Sequence, residues 1–139
     1  MSDGRVIALF LSRSGNAGHE RVQKVRATSA GLEGERHSSV NSPRQILLQS
    51  LETLRDFDLE PGDVYENVLI DGLQVNELAE GLRFQLGTAT VEITIPCEPC
   101  SQMDRLREGL RKAIDGKRGR FVRVVSEGEI RVGDRMLAL

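Results

Sequence analysis

Glycine spacing limits the architectures open to this chain more than any other feature of its sequence. Fourteen glycines occur in 139 residues, and they divide the chain into apolar segments too short for a helical bundle. Short strands separated by turns about every 8–12 residues favour a β-barrel. The length fits a single domain over residues 1–139, which can bury a core without metal or disulfide cross-links. We therefore predict a mainly β (β-rich α+β) fold, a closed or nearly closed barrel of short strands with one helix.

The predicted elements follow the apolar pattern. Strands are predicted at 6–11, 46–48, 64–70, 82–86, 89–95, 121–125 and 135–139. The strongest signal is at 89–95, where apolar and polar residues alternate. A brief helical turn is predicted at 51–57 and a full helix at 101–114, where the apolar stripe consists of Met103, Leu106, Leu110 and Ile114. A loop with Gly15 and Gly18 is predicted at 12–20, and a closing turn at 128–134.

Composition excludes several function classes. Nineteen Lys and Arg against 21 Asp and Glu give a net charge of −2, which argues against a dedicated DNA-binding surface. Aromatic residues make up 4% of the chain and Trp is absent, so a base-stacking RNA surface is poorly supported. No apolar run approaches the roughly 20 residues of a membrane span. With only two cysteines and no secretory signal pattern, we predict a cytoplasmic protein that binds neither nucleic acid nor membrane.

The two cysteines, Cys97 and Cys100, form the sharpest local feature, because they lie between the alternating strand and the predicted helix. Ser101, followed three residues later by Asp104, resembles a capping box, so we predict Ser101 as the helix N-cap. Cys100 would then stand at a helix N-terminus, where the partial positive charge favours a thiolate.

Four interpretations of the cysteine pair stay open at this point. Free cysteines are often buried, so the pair could be two inert thiols. A zinc site is weakly supported, because further ligands would have to come from His19, His37 or carboxylates. A dithiol redox site fits the Cys-x-Pro-Cys spacing, but no βαβ pattern surrounds it. The fourth interpretation is a single thiolate at Cys100 that binds a soft atom, either sulfur as a persulfide or molybdenum.

Residues 31–37 are predicted to form a ligand-binding loop. Gly31 and Gly34 allow the backbone to approach a ligand closely. Arg36 supplies a bidentate donor fork for phosphate or carboxylate, and His37 supplies a donor or acceptor near neutral pH. A tight turn with a surface ion pair is the alternative.

Three other polar features have more ordinary interpretations. His19 lies in a polar loop and is predicted to be solvated. Asn67 lies in a strand that looks buried, and a buried amide must satisfy its donors and its acceptor, so Asn67 either braces a loop or binds a ligand. The basic run at 117–120 is predicted to form a solvated turn, with anion binding as the minor alternative.

Taken in order, four segments resemble the MOSC family, the domain found at the C-terminus of molybdenum-cofactor sulfurases and in small stand-alone bacterial proteins. The stretch 31–37, Gly-Leu-Glu-Gly-Glu-Arg-His, is similar to the family's Gly-Leu-x-Gly-Asp-x-His signature, with Glu35 in place of the aspartate. Three further matches are Glu66-Asn67-Val68 to a Glu-Asn-Leu strand, Pro99-Cys100 to a Pro-Cys motif, and the Gly-x-Ile-x-x-Gly-Asp of 128–134 to the closing turn. The resemblance covers nearly the whole chain.

The resemblance implies a β-rich barrel whose motif cysteine carries sulfur or ligates the molybdenum of a pterin cofactor (molybdopterin). Cys100 matches the family's functional cysteine and would be both the catalytic thiol and the metal ligand, while Cys97 is an additional catalytic thiol. The predicted cofactor-binding residues are Gly34, Arg36, His37 and Asn67.

We therefore predict a sulfur-carrier or molybdenum-cofactor-binding protein that acts through Cys100, either with persulfide sulfur supplied by a cysteine desulfurase or with the bound cofactor. A molybdenum-dependent reductase of N-hydroxylated compounds is the second hypothesis. It would need an external reductase, because the chain has no flavin or iron–sulfur motif. A dithiol redox or metal-binding module is the third. If the protein is an enzyme, these hypotheses make it a molybdenum-dependent oxidoreductase or a sulfur transferase.

Overall fold

The computed structural model describes residues 3–13 and 19–139, so the predicted loop residues Gly15 and Gly18 lie outside the described residues. The strands are β1 (Gly4–Ser12), β2 (His19–Val22), β3 (Lys24–Thr28), β4 (Gly31–Leu32), β5 (Ile46–Ser50), β6 (Val68–Asp71), β7 (Arg83–Leu86), β8 (Ala89–Pro96), β9 (Arg120–Ser126), β10 (Gly128–Arg131) and β11 (Arg135–Ala138). The helices are α1 (Leu51–Asp56), α2 (Ser101–Leu106) and α3 (Leu110–Ala113), with one 3-10 turn at Val75–Glu77.

Seven of the described strands close into a barrel in the order β11, β7, β8, β9, β5, β6 and β1. The barrel closes where β1 pairs with β11, with Gly4 opposite Met136. β5 and β6 pair in parallel, whereas the other barrel pairs are antiparallel. β2 extends β1 beyond the barrel, and β10, β3 and β4 form a small separate sheet. Strand accounts for 42% of the described residues and helix for 14%, so the predicted mainly β barrel is confirmed.

Apolar side chains pack into two clusters on opposite faces of β1. Leu9 and Leu11 belong to the larger cluster, which draws on strands all around the barrel and forms its interior. Ala8 and Phe10 belong to the smaller cluster, which packs against the three short helices. A register shift between Val6 and Ala8 marks a bulge in β1. β1 therefore connects the barrel interior to the layer of helices outside it.

Two predicted segments are wrong in their local structure. The strand predicted at 64–70 begins only at Val68, because Tyr65 adopts the left-handed conformation with φ of 61° and cannot continue a strand. The closing turn predicted at 128–134 contains strand β10, which pairs with β3 from Gly128 opposite Ala27 onwards. Its last residues do form a turn, in which the Asp134 amide donates to the Arg131 carbonyl at 3.0 Å.

The helix predicted after the cysteines is present as two short helices, α2 and α3. Arg107 between them is extended, and its guanidinium donates to the carbonyls of Phe57 and Asp58 at 2.6 and 2.9 Å. Gly109 then adopts a φ of 84°, which glycine tolerates without strain. The break turns part of the predicted apolar stripe outward, so Leu106 is exposed whereas Leu110 is buried.

The predicted capping box is also absent. The N-cap of α2 is Cys100, without a side-chain capping bond, and Ser101 is the first helical residue. Asp104 instead accepts a hydrogen bond from the Arg111 amide at 3.0 Å, which joins α2 to α3. Within the described ranges, none of the helices combines the length and the hydrophobicity that crossing a membrane requires.

Candidate functional site

A cavity of about 670 Å³ opens between loops that leave and enter the barrel strands. Its walls come from the end of β1, the start of β2, the loop between β4 and β5, the turn before β6, and the segments between β8 and β9. Ligand sites in proteins are typically concave and of this size. We therefore take this cavity as the candidate site.

The cavity gathers most of the predicted site residues. Arg36, His37, Asn67 and Cys97 all line it. Cys100 does not, but its Sγ lies 3.6 Å from the Oε1 atom of Gln102, and Gln102 is a lining residue.

Gly34 is the other predicted site residue that does not line the cavity. It adopts a φ of 87°, which favours glycine, and a Cβ there would require the flexible end of the Arg13 side chain to shift. Its position is therefore structural: it lets the loop turn beside Arg13, which is itself a lining residue.

Glu35 organises the loop that carries Arg36 and His37. One carboxylate oxygen accepts the Ser12 amide at 2.7 Å and the Asn67 Nδ2 at 3.0 Å. The other accepts the His37 amide at 3.2 Å and lies 2.7 Å from the His37 Nδ1. This carboxylate is buried, so it holds the imidazole of His37 in one orientation with Nε2 directed away from Glu35.

Asn67 braces the site, which was one of its two predicted roles. Its Oδ1 accepts the Leu47 amide at 2.9 Å, and its Nδ2 donates to the Phe10 carbonyl at 3.1 Å as well as to Glu35. The amide thus joins β1, β5 and the loop that carries Glu35, with its donors and acceptor satisfied.

His19 is not the solvated residue that its polar surroundings predicted. Its Nε2 lies 2.8 Å from the Glu66 carbonyl and its Nδ1 lies 2.9 Å from the Ser12 hydroxyl. Its ring stacks on Phe10, with centroids 5.1 Å apart. Since the carbonyl can only accept, Nε2 carries the proton and Nδ1 accepts from Ser12. Burial lowers the pKa of His19, although the bond to the Glu66 carbonyl opposes that shift, so His19 is a neutral, fixed ring in the cavity wall.

Four arginines line the cavity of a chain whose net charge is −2: Arg13, Arg36, Arg44 and Arg118. Arg13 pairs with Glu20, and the Arg36 Nε donates to the His37 Nε2 at 3.3 Å. Among the described residues, Arg44 and Arg118 have no carboxylate within ion-pair distance. The cavity therefore concentrates positive charge that an anion could neutralise.

Arg118 corrects the prediction of a solvated basic turn at 117–120. Its side chain is only 7% exposed, and its Nη1 donates to the Cys97 Sγ at 2.8 Å. Its Nη2 donates to the Val64 carbonyl at 3.1 Å, while its buried Nε has no partner among the described residues. A buried cation of this kind is costly unless a negative group approaches it, which favours an anionic ligand in the cavity.

The two cysteines differ in their surroundings. Cys97 is buried, and burial raises the pKa of its thiol, although the Arg118 guanidinium opposes that shift. Cys97 therefore carries its proton at neutral pH. Cys100 is half-buried, so a reagent or substrate can reach its sulfur more easily. Both thiols are free; Cys97 lines the cavity, and Cys100 lies three residues later beside the lining residue Gln102.

Arg36→Lys is expected to weaken the binding of inorganic phosphate roughly tenfold, because an ammonium cannot reproduce the bidentate fork of a guanidinium. Arg36 is exposed, so the free energy of unfolding should stay within about 0.5 kcal/mol of the wild type. Isothermal titration calorimetry measures the first quantity and urea unfolding the second. Arg26→Lys, on β3 and outside the cavity lining, is the matched control. Unchanged phosphate affinity in Arg36→Lys would leave this loop with a structural role only.

The model of the MOSC domain family matches residues 36–137, which is more than half of the chain. This chain belongs to the MOSC family. The match includes three of the four motifs that resemble the family, namely those at Asn67, Cys100 and Asp134. It begins at Arg36, near the end of the remaining motif at 31–37. A comparison with curated protein sequences gave no match.

Solved structures share the fold of this MOSC domain. The YuaD protein from Bacillus subtilis superposes with a TM-score of 0.79 at 18% identity, over 98% of this chain and 97% of that one. YiiM from Geobacillus stearothermophilus gives a TM-score of 0.77 at 21% identity, over 98% and 75% of the two chains. YiiM from Escherichia coli gives 0.72 at 20% identity, over 97% and 69%.

Sequence reasoning did not place several residues at the candidate site, among them Arg44, Arg118, His19 and Tyr65. Arg118 stands in a basic run between glycines, a pattern that usually marks a solvated turn. His19 and Tyr65 have no local pattern that predicts their contact with each other, at 5.5 Å between ring centroids. One signal was available, since Tyr65 is the only tyrosine of the chain and directly precedes the Glu-Asn motif.

Proposed function

We propose that this MOSC protein binds a phosphate-bearing molybdenum pterin cofactor in its cavity, or carries sulfur there, through a reactive cysteine. The observation that carries the proposal is the buried guanidinium of Arg118, which lines the cavity and donates to the Cys97 thiol but has no carboxylate partner among the described residues. An anionic ligand and a soft atom would each find a complementary group there.

The side chains of the cavity fit a cofactor that already binds its own metal. In the described part of the chain, no cluster of three His, Cys, Asp or Glu side chains is placed to hold a metal ion. A pterin cofactor binds molybdenum through its own sulfur atoms, so the protein needs to add only a thiol and donors for the phosphate. Arg36, Arg44 and Arg118 would hold the phosphate, and Cys100 would supply the thiol. When bound, the cofactor would supply the redox-active metal centre.

We still propose Cys100 as the reactive thiol, because its sulfur is the more accessible one and not because it precedes a helix. The helix that follows it has only six residues, so a helix dipole is a weak argument for an activated sulfur. Cys97 is buried and protonated at neutral pH, whereas Cys100 is half-buried beside a lining residue. We propose that Cys97 supports the site through its bond from Arg118, and that Cys100 meets the soft atom.

The sulfur-carrier variant of the proposal requires a persulfide donor, such as a cysteine desulfurase. The Cys100 thiolate would attack the outer sulfur of the donor persulfide. The sulfur–sulfur bond of the donor breaks, a new one forms at Cys100, and the donor leaves as a thiolate. The transfer needs no external oxidant or reductant, because the sulfane sulfur keeps its oxidation state.

Cys100→Ser is expected to abolish molybdenum or persulfide loading, whereas Cys97→Ser should reduce it only partly, because Cys97 is the less accessible thiol. Protein produced with ample molybdate is analysed for molybdenum, phosphorus and zinc per chain. Mass spectrometry after incubation with a persulfide donor detects the addition of one sulfur atom. Molybdenum with phosphorus supports cofactor binding, and a sulfur adduct without metal supports the carrier variant.

Other outcomes would contradict the proposal. Stoichiometric zinc would indicate a metal-binding module instead. Equal loss of loading in both variants, together with a reversible Cys97–Cys100 disulfide, would replace the single reactive thiol by a dithiol mechanism. If the wild type contained no molybdenum and formed no sulfur adduct, both variants of the proposal would be overturned.

A further inference from the structure

Tyr65 occupies a backbone conformation that its own side chain disfavours. Its φ is 61°, in the left-handed region that a bulky residue rarely adopts. Such residues persist only when the surrounding structure imposes the conformation, and they concentrate at functional sites.

The neighbouring contacts do impose it. The Tyr65 amide donates to the Gly62 carbonyl at 3.0 Å, which closes the turn. The Gly62 amide donates to a carboxylate oxygen of Glu66 at 2.7 Å, and the Asn67 amide donates to the Leu47 carbonyl at 2.8 Å. All of these bonds use the backbone of residue 65 or groups on other residues. Glycine or asparagine would therefore satisfy the turn with less strain, so the turn itself does not require a tyrosine.

The tyrosine side chain is not required by the core either. It is 44% exposed and belongs to neither hydrophobic cluster. In the described part of the chain, no hydrogen bond under 3.5 Å involves its hydroxyl group. Its ring lines the cavity and meets the ring of His19 at 65°, with centroids 5.5 Å apart. His19 is itself fixed by its two hydrogen bonds and by its stacking on Phe10. An aromatic ring is thus held at a set tilt on the cavity wall with much of its surface accessible.

We propose that Tyr65 is a specificity-determining residue, which stacks on a planar heteroaromatic ring of the cavity ligand while the arginines bind its phosphate. The inference rests on the proposed function and deepens it, because the cavity would then recognise the ring of the ligand as well as its phosphate. Aromatic side chains stack on such rings with little dependence on the pattern of ring substituents. A pterin and a nucleotide base share this chemistry, and the experiment distinguishes them.

The test compares ligands with and without a ring. The probes are 6-hydroxymethylpterin phosphate, AMP and inorganic phosphate, titrated calorimetrically into the wild type, Tyr65→Asn, Tyr65→Phe and Arg44→Gln. Tyr65→Asn should bind the pterin phosphate roughly tenfold more weakly than the wild type does. It should bind inorganic phosphate as well as the wild type does. Tyr65→Phe keeps the ring and should bind both as the wild type does. Arg44→Gln should weaken both, since Arg44 acts on the anion.

A second readout uses the protein's own fluorescence. Tyr65 is the only tyrosine and the chain has no tryptophan, so tyrosine emission reports this residue alone. The pterin phosphate should quench it beyond the loss measured with free N-acetyltyrosinamide at the same concentrations, whereas inorganic phosphate should not. Stability serves as the control for folding: Tyr65→Asn should melt no lower than the wild type, because asparagine tolerates a positive φ.

The outcomes separate this inference from the proposed function. Wild-type affinity of Tyr65→Asn for the pterin phosphate would overturn stacking and leave the anion site intact. Equal affinity for AMP and the pterin phosphate, with the same loss in Tyr65→Asn, would support stacking and extend it to nucleotides. Unchanged affinities in Arg44→Gln, or no binding of any probe by the wild type, would count against the proposed anion site itself.

Discussion

Glu35→Ala is expected to lower the free energy of unfolding by about 4 kcal/mol. The carboxylate is buried and accepts hydrogen bonds from the amides of Ser12 and His37 and from the side chain of Asn67. Removing it leaves these donors unpaired, two of them part-buried and one buried, and each costs about 1–3 kcal/mol. Urea unfolding followed by circular dichroism measures the change.

Glu33→Ala is the matched control, because Glu33 lies in the same loop and is exposed. It should change stability by no more than about 0.5 kcal/mol. A loss below about 1 kcal/mol in Glu35→Ala would mean that water replaces the carboxylate as the acceptor, and that the loop does not depend on it.

Stability is expected to fall as the pH rises from about 4.5 to 7, because of Glu66. This side chain is fully buried, and burial raises its pKa from 4.5 to about 7, although backbone hydrogen bonds, including that from Gly62, oppose the shift. Over that interval the unfolded chain releases the proton while the folded chain keeps it, so a rising pH favours the unfolded chain. The full loss, about 3 kcal/mol, is reached above pH 7.

Glu66→Gln should remove this part of the pH dependence, because an amide does not titrate but still accepts the Gly62 hydrogen bond. The variant should be more stable than the wild type at pH 8, by up to about 3 kcal/mol, and close to it at pH 5. Thermal and urea unfolding across this pH range provide the comparison. Glu60→Gln, at an exposed position before the same turn, should follow the wild-type curve. Parallel curves for Glu66→Gln and the wild type would show that Glu66 is ionised in the folded protein.

The barrel could be predicted because its causes are local. Glycines between short apolar runs and the alternation along β8 determine strand length and which faces are buried. The break in the helix after the cysteines could not be predicted, because the periodicity of the apolar residues continues through Arg107. What breaks it is a pair of hydrogen bonds from Arg107 to the carbonyls of Phe57 and Asp58, some 50 positions away in the chain. No local pattern encodes a contact at that separation.

The candidate site likewise contains residues that could be predicted from local sequence and residues that could not. Arg36 and His37 were predicted because their residue types and the neighbouring glycines indicate a ligand loop. Asn67 was predicted because a buried amide must satisfy its donors and its acceptor, and all three residues line the cavity. Arg118 and Tyr65 were missed, because their roles depend on partners from other segments: Cys97 for Arg118 and His19 for Tyr65. The closed barrel positions these segments together, so their chemistry becomes visible only in three dimensions.

The buried guanidinium of Arg118 has a practical consequence for every binding measurement on this protein. Mobile ions cannot surround a side chain that is 7% exposed, so ordinary salt screening acts on it only weakly. Salt would instead act by entering the cavity and competing for the charge. Ligand affinity should therefore follow the identity of the buffer anion more than the ionic strength, with sulfate or phosphate more inhibitory than chloride at matched ionic strength. Affinities measured in phosphate buffer would underestimate those in a zwitterionic buffer.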